Sequence, residues 1–262
     1  MPRKVVIHAG FHKTGSNSVQ QTLRLNRPVL RRVMASVLKP MMRDVVGAAR
    51  AYSVTGDPLD RARFAARMVL LLQDQPPMNR RVLCLSSEEL AGHLPGRPGV
   101  QDYRAILTLS EDIVSAASSL FPQAEIVFFF LTRDPRTWIE SAYWEHVKSS
   151  DMVMELEEFR HRFTAAADLD GIADAVAQAT GRPVQRARLE DVAGQVFGPA
   201  EPLLDLCEVP QDLRAGLTRP APANTRPAPD ILAELLRLNR EIADKEARRR
   251  AKEALLQSGG QA

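Results

Sequence analysis

The sequence predicts a three-layer α/β/α domain with a central, mostly parallel sheet, a helical insertion and a long C-terminal helix. Three observations predict it. Short apolar runs at residues 5–7, 81–86 and 126–131 alternate with stretches of helical period. Such alternation is the pattern of a parallel sheet covered by helices on both faces. A turn rich in glycine and hydroxyl groups follows the first run and opens a helix. At 262 residues and 45% hydrophobic content, the chain is long enough to bury one ample core.

The first unit, residues 5–21, reads VVIHAGFHKTGSNSVQQ. A strand, a glycine- and hydroxyl-rich turn and a helix together make an anion-binding device. Amide groups at the helix start are unpaired, and the helix dipole is positive there. Gly10 and Gly15 let the backbone bend close to an anion. Lys13 adds a mobile positive charge, and Thr14, Ser16 and Ser18 add hydroxyl donors. The common nucleotide pattern is G-x-x-x-x-G-K-[ST], with lysine directly after the second glycine. Here Ser16 follows Gly15 and the lysine sits at position 13, which weakens an ATP or GTP reading. The bland alternative is a plain strand–turn–helix crossover with a solvated lysine.

Residues 28–80 read as a mostly helical insertion. Val29, Val33 and Val37, then Phe64, Met68, Leu71 and Leu72, recur near a 3.6 period. Asp57 is a plausible cap with Pro58 at the first helical position. These helices either belong to the core and a lid or form part of an acceptor-binding cap. Residues 81–86 read as the second strand. It ends in Ser86-Ser87-Glu88-Glu89, at the strand edge where doubly wound sheets gather ligands. A Gly/Pro loop and a helix over 101–120 follow.

Residues 126–131 are an uninterrupted apolar run, suited to a central strand buried on both faces. The run ends in Thr132-Arg133, with Asp134 as N-cap and Pro135 at the first helical position. Thr137 and Ser141, four apart, share one face of that helix, near Arg133. Arginine favours bidentate contact with phosphate; otherwise Arg133 pairs with a carboxylate and Ser141 merely packs. Residues 151–180 read as mixed-charge helix, 184–189 as a strand nearer an edge, and 203–207 as a short helix. Residues 219–229 are too Pro-rich for regular helix. One long helix spans about 228–257, beyond a main domain of residues 1–227. The tail at 258–262 reads as disordered.

Lys and Arg total 35 against 32 Asp and Glu, a net charge of +3, which permits an anionic small molecule without demanding nucleic acid. Aromatic residues make up 5% and argue against a base-stacking surface. Cys84 and Cys207 lack metal-ligand spacing, and a reducing cytoplasm is the simplest setting. The apolar run near the start is too short for a secretory segment, and nothing approaches a membrane span. Oligomeric state is not legible.

Two blocks carry a resemblance. HAGFHKTGSNSVQQTL resembles the 5′-phosphosulfate loop of sulfotransferases, usually near K-T-G-[ST]-[TS]-S. LTRDPRTWIESAYWEHVK resembles their 3′-phosphate element, an Arg followed eight positions later by a Ser; Arg133 and Ser141 keep that separation. SSEEL after the second strand is similar to bacterial members. Asn17 departs from the usual Thr or Ser but still donates hydrogen bonds. The resemblance implies a P-loop NTPase-like fold and 3′-phosphoadenosine 5′-phosphosulfate as donor. It implies no metal requirement, and a small-molecule or carbohydrate acceptor. His12, Lys13, Thr14, Gly15, Ser16, Asn17 and Ser18 would hold the 5′ side, and Arg133 and Ser141 the 3′-phosphate. Lys13 would act on the bridging oxygen. For the general base the candidates are Glu88, Glu89, His12, His93 and His146, with Glu88 preferred for its strand-end position. Arg219, Asn224 and Arg226 would close over the 3′ end. A P-loop kinase or nucleotide hydrolase, and a nucleotide-binding protein without turnover, are the competing readings.

Overall fold

The computed structural model describes residues 1–221 and 229–258. Five strands form the sheet: β1 (Lys4–His8), β2 (Met34–Leu38), β3 (Val82–Ser86), β4 (Glu125–Thr132) and β5 (Val184–Arg188). Their order is β2-β3-β1-β4-β5, and every pairing is parallel. The helices between them are α1 (Ser16–Leu25), α2 (Arg27–Leu30), α3 (Arg43–Thr55), α4 (Pro58–Gln73), α5 (Ala105–Leu120), α6 (Pro135–Ser149), α7 (Leu156–Phe163) and α8 (Leu169–Thr180). Short helices α9 (Leu189–Val192), α10 (Glu201–Leu206) and α11 (Gln211–Ala215) follow β5, and α12 (Pro229–Glu241) and α13 (Lys245–Ser258) come after them.

The period of two along each central strand splits the core into two layers. Val5, Ile7, Leu83, Leu85, Ile126, Phe128 and Phe130 face one way, under α3, α4, α5, α6 and α8. Val6, Cys84, Val127, Phe129 and Leu131 face the other, under α1 and α10. The chain leaves β1 toward β2 and leaves β4 toward β5, in opposite directions across the sheet. A crevice therefore opens between the carboxyl ends of β1 and β4, where open parallel sheets place ligands.

Several expectations need correction. Residues 28–80 are not wholly helical, because Met34–Leu38 is the edge strand β2, paired with β3. The four-residue spacing of Val29, Val33 and Val37 suits a helix, but ladder bonds and burial beside β3 override local period. The helix expected from 101 begins at Ala105, since Asp102 accepts the Arg104 amide in a turn before it. The single C-terminal helix is two, broken before Lys245, where the Asp244 carboxylate takes the Ala247 amide at 2.7 Å. Other details stand as read. Asp57 caps α4 ahead of Pro58, and Asp134 caps α6 ahead of Pro135. The sequence motif residues Asn224 and Arg226, most of the Pro-rich segment and the tail beyond Ser258 lie outside the described residues. Among the described residues no helix is long and apolar enough to cross a membrane.

α12 and α13 close the carboxyl end of α6. Asn239 Nδ2 donates to the carbonyls of Val147 (3.0 Å) and Met152 (2.8 Å). Lys252 Nζ is buried and donates to the carbonyls of Val147 (2.7 Å) and Ser150 (2.6 Å). The last carbonyls of a helix need such donors.

Candidate active site

The turn after β1 is held open as an amide-lined cradle. Lys13 and Gly15 lie at positive φ, +65° and +98°. A side chain at Gly15 would sit 2.9 Å from Pro199 Cγ, so glycine is required by both conformation and space. Lys13 has no such licence, and a non-glycine residue in this region marks strain of the kind found at functional sites. The amides of Thr14, Gly15, Ser16 and Asn17 meet no acceptor among the described residues, and no side chain caps α1. The helix thus presents unpaired N–H groups and its positive end to the crevice. The hydroxyls of Thr14 and Ser16 are buried and point back, both donating to the Phe11 carbonyl at 2.7 and 3.0 Å. They brace the turn, and the cradle is made by backbone.

Arg133, at the end of β4, ties the turn to α6. Its Nη1 donates to the Lys13 carbonyl at 3.0 Å, and its Nε to Thr137 Oγ1 at 3.2 Å. Trp138 Nε1 donates to the His12 carbonyl at 2.9 Å, and the His12 amide to Tyr103 Oη at 3.2 Å. α6 and Tyr103 thereby grip the turn from one side. The sequence blocks 5–21 and 124–148, far apart in the chain, meet at this point.

Lys13 Nζ donates to Glu145 Oε2 at 2.9 Å, with Lys148 Nζ 3.6 Å from the same oxygen. Burial would raise the Glu145 carboxyl, but the charge and hydrogen bond of Lys13 outweigh it and hold the group below its ordinary value. Ser141 lies half-buried on α6, four residues before Glu145 and four after Thr137. Thr137, Ser141 and Glu145 therefore form one stripe running away from Arg133.

A second cluster flanks the turn on the β3 side. Ser87 caps a short helical turn over Glu88–Ala91, accepting the Glu89 amide. Glu88 is buried, and its Oε2 accepts from Gln20 Nε2 of α1 at 2.7 Å. Glu89 pairs with Lys39 at 2.6 Å and with Arg50. One nitrogen of His12 and one oxygen each of Glu88 and Glu89 lie within 4.8 Å of one another. Burial alone would raise the Glu88 carboxyl; His12, its own amide, Gln20 and Lys39 reverse this and lower it. Burial holds His12 at about 4, with Glu88 and Glu89 opposing the shift. Glu88 is thus an ionised carboxylate at neutral pH beside a neutral imidazole. Its main chain packs on the turn: a side chain at Gly10 would sit 3.5 Å from the Glu88 carbonyl.

Lys13, Arg133 and the α6 stripe come together at the turn, and His12 links them to Glu88, its ring lying 3.2 Å from Tyr103 Oη and close to the Glu88 carboxylate. His146 stands outside this set. It is buried, donates from Nε2 to the Pro95 carbonyl at 2.7 Å, and serves the fold. His93 is half-buried beside the Glu89 cluster, and burial followed by the charge of Arg50 lowers it. Arg219 lies away from the turn. The preceding residue, Thr218, donates its amide to Asn26 at the far end of α1, about 15 Å along that helix. Glu145, Gln20, Lys39 and Tyr103 are site neighbours the sequence reading missed. Only Glu145 carried a signal, its spacing of four from Ser141.

No protein-family model matches this chain, and no curated protein matches it. Among solved structures, the chain is similar to the crystal structure of a sulfotransferase from Alicyclobacillus acidocaldarius, with 16% identity. The match spans 98% of this chain and 95% of that one at a TM-score of 0.47. A likeness of that degree bears neither on activity nor on individual residues.

Proposed function

We propose that the chain is a sulfotransferase that takes its sulfuryl group from 3′-phosphoadenosine 5′-phosphosulfate and passes it to a hydroxyl or amine of a small-molecule or carbohydrate acceptor. One observation carries the reading. Two cationic sites, Lys13 with its amide cradle and Arg133 with the hydroxyls of the α6 stripe, adjoin in one crevice, linked by the Arg133–Lys13 carbonyl bond. A donor with two anionic ends needs two such sites, whereas a nucleoside triphosphate needs one and a metal. The sequence resemblance in the same two blocks points the same way.

The donor supplies the sulfuryl group. The amides of Thr14–Asn17, helped by Ser18 and flanked by His12, hold the 5′-phosphate. Arg133 and Ser141 hold the 3′-phosphate. Lys13 moves from Glu145 to neutralise charge building on the bridging oxygen as the bond to sulfur breaks. Glu88 takes the acceptor's proton, for which its ionised state is the required one. In such transfers positioning and charge stabilisation do most of the work. Two free, buried cysteines fit a cytoplasmic setting.

Calorimetric titration of adenosine 3′,5′-bisphosphate, with ATP–Mg²⁺ as comparator, tests the proposal on wild type and Arg133→Ala. Micromolar binding of the bisphosphate that falls at least about tenfold in Arg133→Ala is expected, the loss of a charge-assisted pair. Binding of ATP–Mg²⁺ without the bisphosphate would replace this reading with a kinase. Tight bisphosphate binding with no transfer to any acceptor would make the chain a nucleotide-binding protein without turnover.

A further inference from the structure

The first 43 residues contain nine Lys and Arg and no Asp or Glu. Folding gives several of these cations a partner. Arg3 and Lys4 reach Glu208, Lys13 reaches Glu145 and Lys39 reaches Glu89. Arg24, Arg27 and Arg31 are exposed and make no ion pair or side-chain hydrogen bond with any described residue. They come from the last turn of α1, the start of α2 and the residue after α2, and all three line one cavity of about 520 Å³. Arg81, just ahead of β3, is a fourth guanidinium in its wall.

Arg81 is held in place. Its Nε donates to the Met78 carbonyl at 2.9 Å, its Nη1 to the Arg31 carbonyl at 2.7 Å and its Nη2 to the Pro77 carbonyl at 2.9 Å. These acceptors are neutral, so the charge of Arg81 is not cancelled. Each Nη also carries a second proton that these bonds leave unused. The buried Met34 and the exposed Met41 add apolar wall. Among the described residues that line the cavity there is no carboxylate. Elsewhere in this chain exposed arginines do meet acids: Arg104 pairs with Asp102, Arg237 with Glu234 and Arg249 with Glu246. The cavity thus gathers four permanent cations around one space with no fixed anion. A cleft lined by one sign of charge, with apolar walls, concentrates ions of the other sign.

We infer that this cavity binds a compact polyanion, a small molecule carrying several phosphate or sulfate groups. Forked guanidinium groups match the oxygens of such groups, and a single phosphate would engage only one or two of them. A ligand with several anionic groups can meet Arg24, Arg27, Arg31 and Arg81 together. The cavity flanks β2, and β3 stands between β2 and β1, so it is separate from the crevice between β1 and β4. Its ligand is independent of whatever chemistry that crevice performs.

Calorimetric titration of sodium tripolyphosphate into the full chain tests the inference. Micromolar binding that weakens with added sodium chloride is expected. Arg24→Ala/Arg27→Ala/Arg31→Ala leaves the crevice intact and is expected to weaken this binding at least about tenfold. The single variant Arg27→Glu, which sets a carboxylate in the cavity, is expected to weaken it in the same sense. All three arginines are exposed, so both variants keep the circular dichroism spectrum of wild type. Sucrose octasulfate titrated alongside separates sulfate from phosphate; tighter binding of either, lost in the triple variant, supports the inference and names the group. Triple-variant binding equal to wild type would overturn it, and so would orthophosphate binding as tightly as tripolyphosphate. Tighter binding of an oligodeoxynucleotide or a phosphatidylserine vesicle would also overturn it, naming a macromolecular partner instead.

Discussion

Acid is expected to unfold this protein through two histidines that the fold keeps neutral. His8 and His146 are both fully buried. His8 Nδ1 lies 2.8 Å from Ser86 Oγ, and its buried Nε2 has no partner among the described residues. His146 gives its Nε2 proton to the Pro95 carbonyl, and its buried Nδ1 has no partner among the described residues. Burial lowers each from 6.5 to about 4, against weaker opposing contributions from Glu88 for His8 and from the Pro95 hydrogen bond for His146. The sign follows from proton uptake. Above pH 6.5 neither state binds the proton and the stability is intact. As pH falls from 6.5 toward 4, the unfolded chain gains protons that the folded chain refuses, and stability is lost. At pH 5 the loss is about 2 kcal/mol per imidazole, or about 4 kcal/mol for the pair. That is a large share of the 5–15 kcal/mol typical of a domain, so "about 4" decides the matter. His12 and His93, also lowered, add in the same sense. Urea unfolding at pH 7.5, 6 and 5 reads the effect, as a midpoint falling by more than about 1 M with little change in slope. His8→Gln/His146→Gln cannot take up these protons and is expected to lose about half of that pH dependence. A wild-type midpoint that stays level from pH 7.5 to 5, or a double variant with the wild-type slope, would refute the reasoning.

Other outcomes follow from single contacts. Glu145→Gln frees Lys13 from its carboxylate partner, and adenosine 3′,5′-bisphosphate is expected to bind several-fold more tightly by calorimetry; weaker binding would mean that Glu145 orients the lysine productively. Gly15→Ala forces a side chain onto Pro199 at positive φ, and a loss of about 1–3 kcal/mol is expected in chemical denaturation. Lys252→Met removes the donor to the carbonyls of Val147 and Ser150, leaving buried acceptors unpaired, and a loss of about 1–3 kcal/mol is expected in the same assay. Glu88→Gln keeps the Gln20 contact geometry but removes the charge. Bisphosphate affinity is expected to change little while sulfuryl transfer falls by about 100-fold or more, measured with any acceptor found active.

The central strands were legible because they are buried on both faces, and residues 126–131 leave no other explanation for six apolar residues in a row. The caps at Asp57 and Asp134 were legible because their chemistry is local. β2 was not, since Met34–Leu38 owes its state to ladder bonds with β3, and its valines happen to recur every four residues. The break before Lys245 hangs on one side-chain bond from Asp244. At the site, Lys13, Arg133 and Ser141 stand in contiguous motifs that could be read. Tyr103, Lys39 and Arg50 reach the same region from loops and helices remote in sequence, through contacts that no local pattern encodes. The hydroxyls of Thr14 and Ser16 could be named from composition, but not that they turn inward to the Phe11 carbonyl.

The helix that carries Ser141 and Glu145 is finished by residues made much later. Its last carbonyls are met by Asn239 and Lys252, 92 and 105 positions beyond Val147. During synthesis the sheet, the turn and Arg133 can assemble while the end of α6 still lacks its donors. A nascent chain halted near residue 221 would hold a nearly complete crevice on a helix with a loose end. Docking of α12 and α13 then fastens that end. Ribosome-stalled chains of graded length, probed by proteolysis within 141–150, would show protection arriving only once Lys252 has emerged.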